Sequence, residues 1–172
     1  MSKDKQLGCI FPGQGAQYVG MGKDFFENFN SAKEVFLEAD ERLGRKLSTL
    51  IFDGAKEELV LTKNSQVAIY VVSMAIWRVI KEQLPCIQPS VCAGLSLGEY
   101  TALTVSKTLD FADGVQLVQN RGIYMHEASI KNPGTMAVVL GLDATSVQEV
   151  VDASSEVWVA NLNCPGQVVI SG

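Results

Sequence analysis

Gly94-Leu95-Ser96-Leu97-Gly98 is the stretch that decides how this chain is read. The apolar run Val91-Cys92-Ala93 precedes it, and Glu99-Tyr100-Thr101-Ala102-Leu103, which reads as helix, follows it. A serine between two glycines at a strand-to-helix junction is the pattern of a nucleophile elbow. The turn is tight, so the flanking positions exclude bulky side chains, and the backbone passes through dihedrals that glycine tolerates best. Such a turn presents a hydroxyl at the mouth of a sheet and at the positive end of a helix. There a serine can attack a carbonyl, and the resulting oxyanion can be held.

Upstream of the elbow, Leu7 to Phe11 reads as a buried strand ending at Pro12-Gly13, and Pro12-Gly13-Gln14-Gly15-Ala16-Gln17 as a glycine-rich loop. A first helix falls within Met21 to Phe29. Ser31 with Glu34 forms the signature of a capping box for a second helix, which Gly44 stops. Lys56 to Leu61 reads as a short helix. Asn64 or Ser65 is placed to cap a long buried helix reaching about Leu84, and Pro85 and Pro89 bracket the loop into the strand Ser90 to Ala93.

Downstream, Asp110 with Asp113 starts a helix that runs to about Ser129, and Asn132-Pro133-Gly134 breaks the pattern. Strand (Met136–Leu142), helix (Thr145–Ala153), strand (Val157–Ala160) and strand (Val168–Ser171) then follow. A β-α-β-β run of this kind is the opening of a ferredoxin-like unit. The expected fold class is therefore α/β: a large α/β-hydrolase-like domain with a parallel sheet over residues 1–131, and a smaller ferredoxin-like subdomain beginning at 132–172. Both are expected to be incomplete, with apolar surface left uncovered.

The composition is that of a globular protein: 172 residues, 47% hydrophobic and 19% charged. A net charge of −5 argues against a nucleic-acid partner held by bulk electrostatics. The longest apolar stretch, Val67 to Trp77, is too short to span a bilayer and reads as a buried helix. Met1 to Gln6 leads into no signal-peptide core. The four cysteines, Cys9, Cys86, Cys92 and Cys164, show neither a Cys-x-x-Cys pair nor zinc-ligand spacing, so free thiols in a reducing, cytoplasmic compartment are expected.

Four segments stand together: Phe11-Pro12-Gly13-Gln14-Gly15-Ala16-Gln17, the Ser96 elbow through Tyr100, Gln119-Asn120-Arg121-Gly122, and Asn161-Leu162-Asn163-Cys164-Pro165-Gly166-Gln167 with the Val168 to Gly172 run behind it. In order and spacing the chain resembles the malonyl-CoA:acyl-carrier-protein transacylase family, over nearly its whole length. The resemblance implies transfer of malonyl from coenzyme A to the phosphopantetheine thiol of acyl carrier protein through a seryl ester, in fatty-acid or polyketide synthesis. It implies Ser96 as nucleophile, and the backbone N–H groups of Gln14 and Leu97 as oxyanion hole. Arg121 would grip the free malonyl carboxylate, with Gln17, Gln66 and Asn163 near the substrate. Asn161 belongs to the same Asn-x-Asn stretch as Asn163, where loop-stabilising hydrogen bonds are an equal reading. No metal or redox cofactor is implied, coenzyme A entering only as part of the substrate. The partners implied are malonyl-CoA and acyl carrier protein, for an enzyme that is monomeric when complete.

Two positions depart from the pattern. Leu95 stands where bacterial members commonly carry histidine; it flanks the nucleophile, so altered packing is expected and not lost chemistry. The family's general base is a histidine of a later motif, which this sequence does not reach. The single histidine, His126, lies five residues after Arg121, about 140° around a helix from it, and is not read as the base. A serine esterase of α/β-hydrolase type and a non-catalytic fragment that docks carrier protein are the alternatives. The esterase does not account for Gly13-Gln14-Gly15 or Arg121; the fragment is motivated by the missing histidine.

Overall fold

The strand before the glycine-rich loop and the strand before the elbow lie side by side. In this computed structural model, which describes residues 6–172, β1 (Gly8–Phe11) pairs in parallel with β2 (Val91–Gly94). Phe11 is the register partner of Gly94, so the loop after β1 and the elbow after β2 leave the sheet at the same edge. The expectation about a signal peptide falls almost wholly on residues outside the described range.

Between the strands come α1 (Lys23–Asn28), α2 (Asn30–Leu43), α3 (Leu47–Asp53), α4 (Lys56–Val60) and α5 (Thr62–Gln83). After β2 come α6 (Leu97–Val105) and α7 (Phe111–Lys131). The chain divides into two compact units, one ending at Glu127 and one formed by Ala128–Gly172. In the first, α5 is the centre: Val67, Ala68, Tyr70, Val71 and Ala75 have no exposed surface. Three phenylalanines gather beside it, with Phe36 and Phe52 ring centroids 4.9 Å apart and Phe26 and Phe52 5.1 Å apart. Burial of these side chains is the main favourable term holding the helices together. The sheet is covered on one face only among the described residues: Cys9, Phe11 and Cys92 face the helices, whereas Ile10 is 86% exposed and Val91 62%.

Two capping expectations are corrected. Helix α2 starts two residues early, at Asn30, because Phe29 serves as both the last cap of α1 and the N-cap of α2, with its ring 6.0 Å from Phe25. Ser31 therefore sits inside the first turn, and its buried hydroxyl has no partner. Helix α5 likewise begins at Thr62 after Leu61, with Asn64 and Ser65 buried inside it. Asn64 Nδ2 donates instead to the Glu58 carbonyl at 2.8 Å, tying α5 to the end of α4. Asp110, by contrast, does accept from the Ala112 N–H at 2.9 Å at the start of α7.

The second unit contains β3 (Met136–Leu140), α8 (Ala144–Asp152), β4 (Trp158–Cys164) and β5 (Gln167–Ser171). The sheet is antiparallel with strand order β3-β5-β4, and Val147, Val151 and Val168 form its core. Asp143 caps α8, its side chain accepting from the Ser146 N–H at 2.8 Å. Strand β4 runs past its expected end at Ala160, taking in Asn161 to Cys164. Pairing with β5, through irregular register between Val159 and Cys164, overrides the poor strand preference of asparagine.

Candidate active site

Ser96 is the point where β2 turns into α6, and it carries a positive φ of 56°. That is uncommon for a residue with a Cβ and marks a turn held in place by its surroundings. The glycines show what holds it. A Cβ on Gly94 would overlap the backbone of Gly98, and a Cβ on Gly98 would overlap the carbonyl of Phe11. A Cβ on Gly13 would come within 2.9 Å of the Leu95 carbonyl. The glycine-rich loop and the elbow thus pack backbone to backbone, which brings Gln14 beside the turn. Leu97 is the first residue of α6, so its N–H lacks an intrahelical acceptor and points out of the helix N-terminus. Its side chain is fully buried, which anchors the helix start.

The side chains around Ser96 form one connected path. Arg121 Nη2 donates to Ser96 Oγ at 2.7 Å, and Arg121 Nη1 donates to Gln66 Oε1. Gln66, with no exposed surface, passes the connection on: its Nε2 donates to Gln14 Oε1 at 2.9 Å. Gln14 Nε2 in turn donates to Thr62 Oγ1 at 3.2 Å. The guanidinium also lies 5.7 Å from the centre of the Tyr100 ring, within reach of a cation–π attraction. Gly122 explains why Arg121 meets Gln66: a Cβ there would approach the Thr62 carbonyl to 2.9 Å and Gln66 Cβ to 3.3 Å, so α7 runs very close to the first turns of α5. Gln119 reinforces the contact, its Nε2 donating to the Lys63 carbonyl at 3.4 Å.

Residues 9–172 match the acyl transferase domain family. The chain belongs to that family. A malonyl CoA-acyl carrier protein transacylase from Bacillus subtilis is 48% identical over 171 residues, covering 97% of this chain and 53% of that protein. The corresponding protein of Haemophilus influenzae is 41% identical, covering 98% of this chain and 55% of its own length. Among solved structures, the transacylase of Clostridium perfringens superposes with a TM-score of 0.89 at 44% identity, over 98% of this chain and 54% of that one. A malonyl-transacylase in complex with a type II polyketide-synthase acyl-carrier protein gives 0.89 at 40% identity, over 98% and 55%. The chain spans about half the length of the curated relatives it matches.

Of the acyl transferase site residues expected from sequence, Gln14, Gln66, Ser96, Leu97 and Arg121 converge in the first unit. Gln17 lies in the same loop, but its Oε1 accepts from the Gly15 N–H at 2.8 Å and so braces the loop from within. Asn161 and Asn163 lie on β4 of the second unit, where Asn163 Nδ2 donates to Gln167 Oε1 at 3.0 Å across the hairpin. Thr62 and Tyr100 complete the constellation, and Thr62 is not evident from the sequence alone. Tyr100, four residues after Ser96 on one helix face, is the member a helical-spacing argument reaches. Among the described residues, no cluster of three or more His, Cys, Asp or Glu side chains could hold a metal, and no helix is long and apolar enough to cross a membrane.

Proposed function

We propose that this chain carries the nucleophile, oxyanion hole and carboxylate clamp of a malonyl-CoA:acyl-carrier-protein transacylase acting in fatty-acid or polyketide synthesis in the cytoplasm. The observation that carries the reading is the 2.7 Å approach of the Arg121 guanidinium to Ser96 Oγ. The two carboxyl carbons of malonate are separated by one methylene group. A site for malonyl therefore needs its cation within a few ångströms of its nucleophile, and a longer diacid would overshoot.

Ser96 Oγ attacks the thioester carbonyl, and the oxyanion is held by the N–H groups of Gln14 and Leu97. Collapse releases coenzyme A as thiolate and leaves a seryl ester, which the phosphopantetheine thiol of acyl carrier protein opens by the reverse path. The far carboxylate takes the guanidinium edge that Ser96 occupies without substrate, pairing with it through two parallel hydrogen bonds. Gln66 is a positioning residue: by accepting from Nη1 it sets the plane of the fork, and through Gln14 it ties that plane to the oxyanion loop. Supporting roles for Gln17 and Asn163 rest on the family resemblance alone. The proton of Ser96 must leave to a base, which the family resemblance assigns to a histidine of a later motif and not to His126. The parallel β1–β2 pair and elbow support an α/β-hydrolase-like large domain. The β3-β5-β4 order supports the start of a ferredoxin-like subdomain.

Competition between malonyl-CoA and acetyl-CoA for covalent loading tests the clamp. Loading is expected to favour malonyl, and Arg121→Ala to lower that preference about 10–100-fold, the worth of a lost charged hydrogen-bond pair. An unchanged preference would refute the assignment of Arg121.

A further inference from the structure

Two thiols stand side by side in the sheet, and acyl transfer uses neither. Cys9 on β1 and Cys92 on β2 are direct register partners. Both lie on the helix-covered face, since the intervening residues Ile10, Val91 and Ala93 are turned to the open face. Both are free and half-buried. The Cys92 thiol is pushed up from its ordinary range by burial first and by neighbouring Cys9 second, and the latter effect reflects their proximity. Cys92 also lines a cleft of about 770 Å³, with Met74, Trp77 and Lys81 on its walls, through which a small reagent can reach this thiol.

Strand spacing sets what can join them. Directly opposed residues of a parallel pair keep their Cβ atoms about 4.8 Å apart, close to the strand separation. A relaxed disulfide draws them to about 3.8 Å. The register therefore opposes a direct sulfur–sulfur bond and leaves room for one bridging atom that is soft and takes two sulfur ligands. We infer that Cys9 and Cys92 form a dithiol site for trivalent arsenicals. An organoarsenic oxide, R–As=O, reacts with both S–H groups. Two As–S bonds form, and the oxygen leaves with the two thiol protons as water. Arsenic stays trivalent and nothing is oxidised. The bridge staples β1 to β2, the strands that lead to the Gln14 loop and to Ser96. The site is independent of the transacylase reading.

The test is titration of the chain with phenylarsine oxide, followed by intact mass and by alkylation mapping with iodoacetamide. One equivalent is expected to persist in excess glutathione and to leave with dithiothreitol. Cys9 and Cys92 are both protected from alkylation, whereas exposed Cys86 and Cys164 stay reactive. Retention falls about 100-fold or more in Cys9→Ala and Cys92→Ala, which lose one attachment point, and in urea-unfolded wild type, where the second thiol is no longer held beside the first. An adduct stripped by glutathione, protection of only one of the two thiols, or protection centred on Cys86 or Cys164 overturns the inference. Oxidation by glutathione disulfide that joins Cys9 to Cys92 more readily than the arsenical does so overturns its geometric basis. The wild-type footprint decides the matter even if a variant fails to fold.

Discussion

Glycine serves two different needs in the elbow around Ser96 and in the hairpin turn of the second unit. At Gly94 and Gly98 the need is space: backbone atoms of Gly98 and Phe11 stand where a Cβ would go. At Gly166, which with Pro165 joins β4 to β5, the need is conformational, with φ at +75° and ordinary contact distances around it. Backbone overlap cannot be relieved by a rotamer change, whereas a left-handed residue with a Cβ costs only local strain. The elbow is thus a rigid junction between two strands and a helix, and the turn a local feature of one hairpin.

The largest expected effect follows from the overlap. Gly98→Ala must push the loop after β1 away from the elbow, at a cost of about 3 kcal/mol or more. A urea midpoint that falls steeply, or failure to fold, is the expected outcome. Gly166→Ala should cost about 1 kcal/mol. If the two variants unfold at the same urea concentration, the distinction between crowding and strain fails.

The units differ in their pH limits as well. Tyr70, fully buried in α5, shares a 2.7 Å hydrogen bond with Thr104, and burial pushes its phenol up to about 12. A folded pKa above the unfolded value of about 10 means that the contribution is full below pH 10 and is lost as pH rises toward 12. Alkaline unfolding of the first unit is expected in that window, followed by tyrosine absorbance. Tyr70→Phe should remove this component and cost about 1 kcal/mol near neutrality for the lost hydrogen bond. Asp143 has the opposite sign: the Ser146 N–H that it caps holds its carboxylate below the ordinary range. Its contribution is present above about pH 4 and is lost as pH falls through the lower folded value. Protection of the α8 amides relative to their intrinsic exchange rate should fall in acid in wild type and already be lower at neutral pH in Asp143→Ala. An acid-insensitive α8 would contradict this.

Much of this is legible in the sequence wherever the cause is local. The glycines flanking Ser96 and Asp110 ahead of α7 act over a few residues, whereas Leu7 to Phe11, expected as a buried strand, leaves Ile10 86% exposed. The misread features are those decided by contacts between one element and another. Ser31 and Asn64 resemble caps, yet Phe29 packing on Phe25 and the tie from Asn64 to Glu58 set the helix starts. Asn161 to Cys164 joins β4 because β5 pairs with it. The path from Arg121 through Gln66 and Gln14 to Thr62 links residues from α7, α5 and the first loop. No spacing rule along a single chain encodes such a path; the family resemblance sets Gln14, Gln66 and Arg121 at the site but not the hydrogen bonds that link them.

Covalent loading of Ser96 tests the account most directly. The chain is incubated with malonyl-CoA, with and without imidazole to accept the serine proton, and examined by intact mass and peptide mapping. A single malonyl ester on Ser96, formed faster with imidazole and lost in Ser96→Ala, is the predicted result. A chain that stays unmodified under both conditions, or that carries malonyl elsewhere while Ser96 stays free, would contradict it.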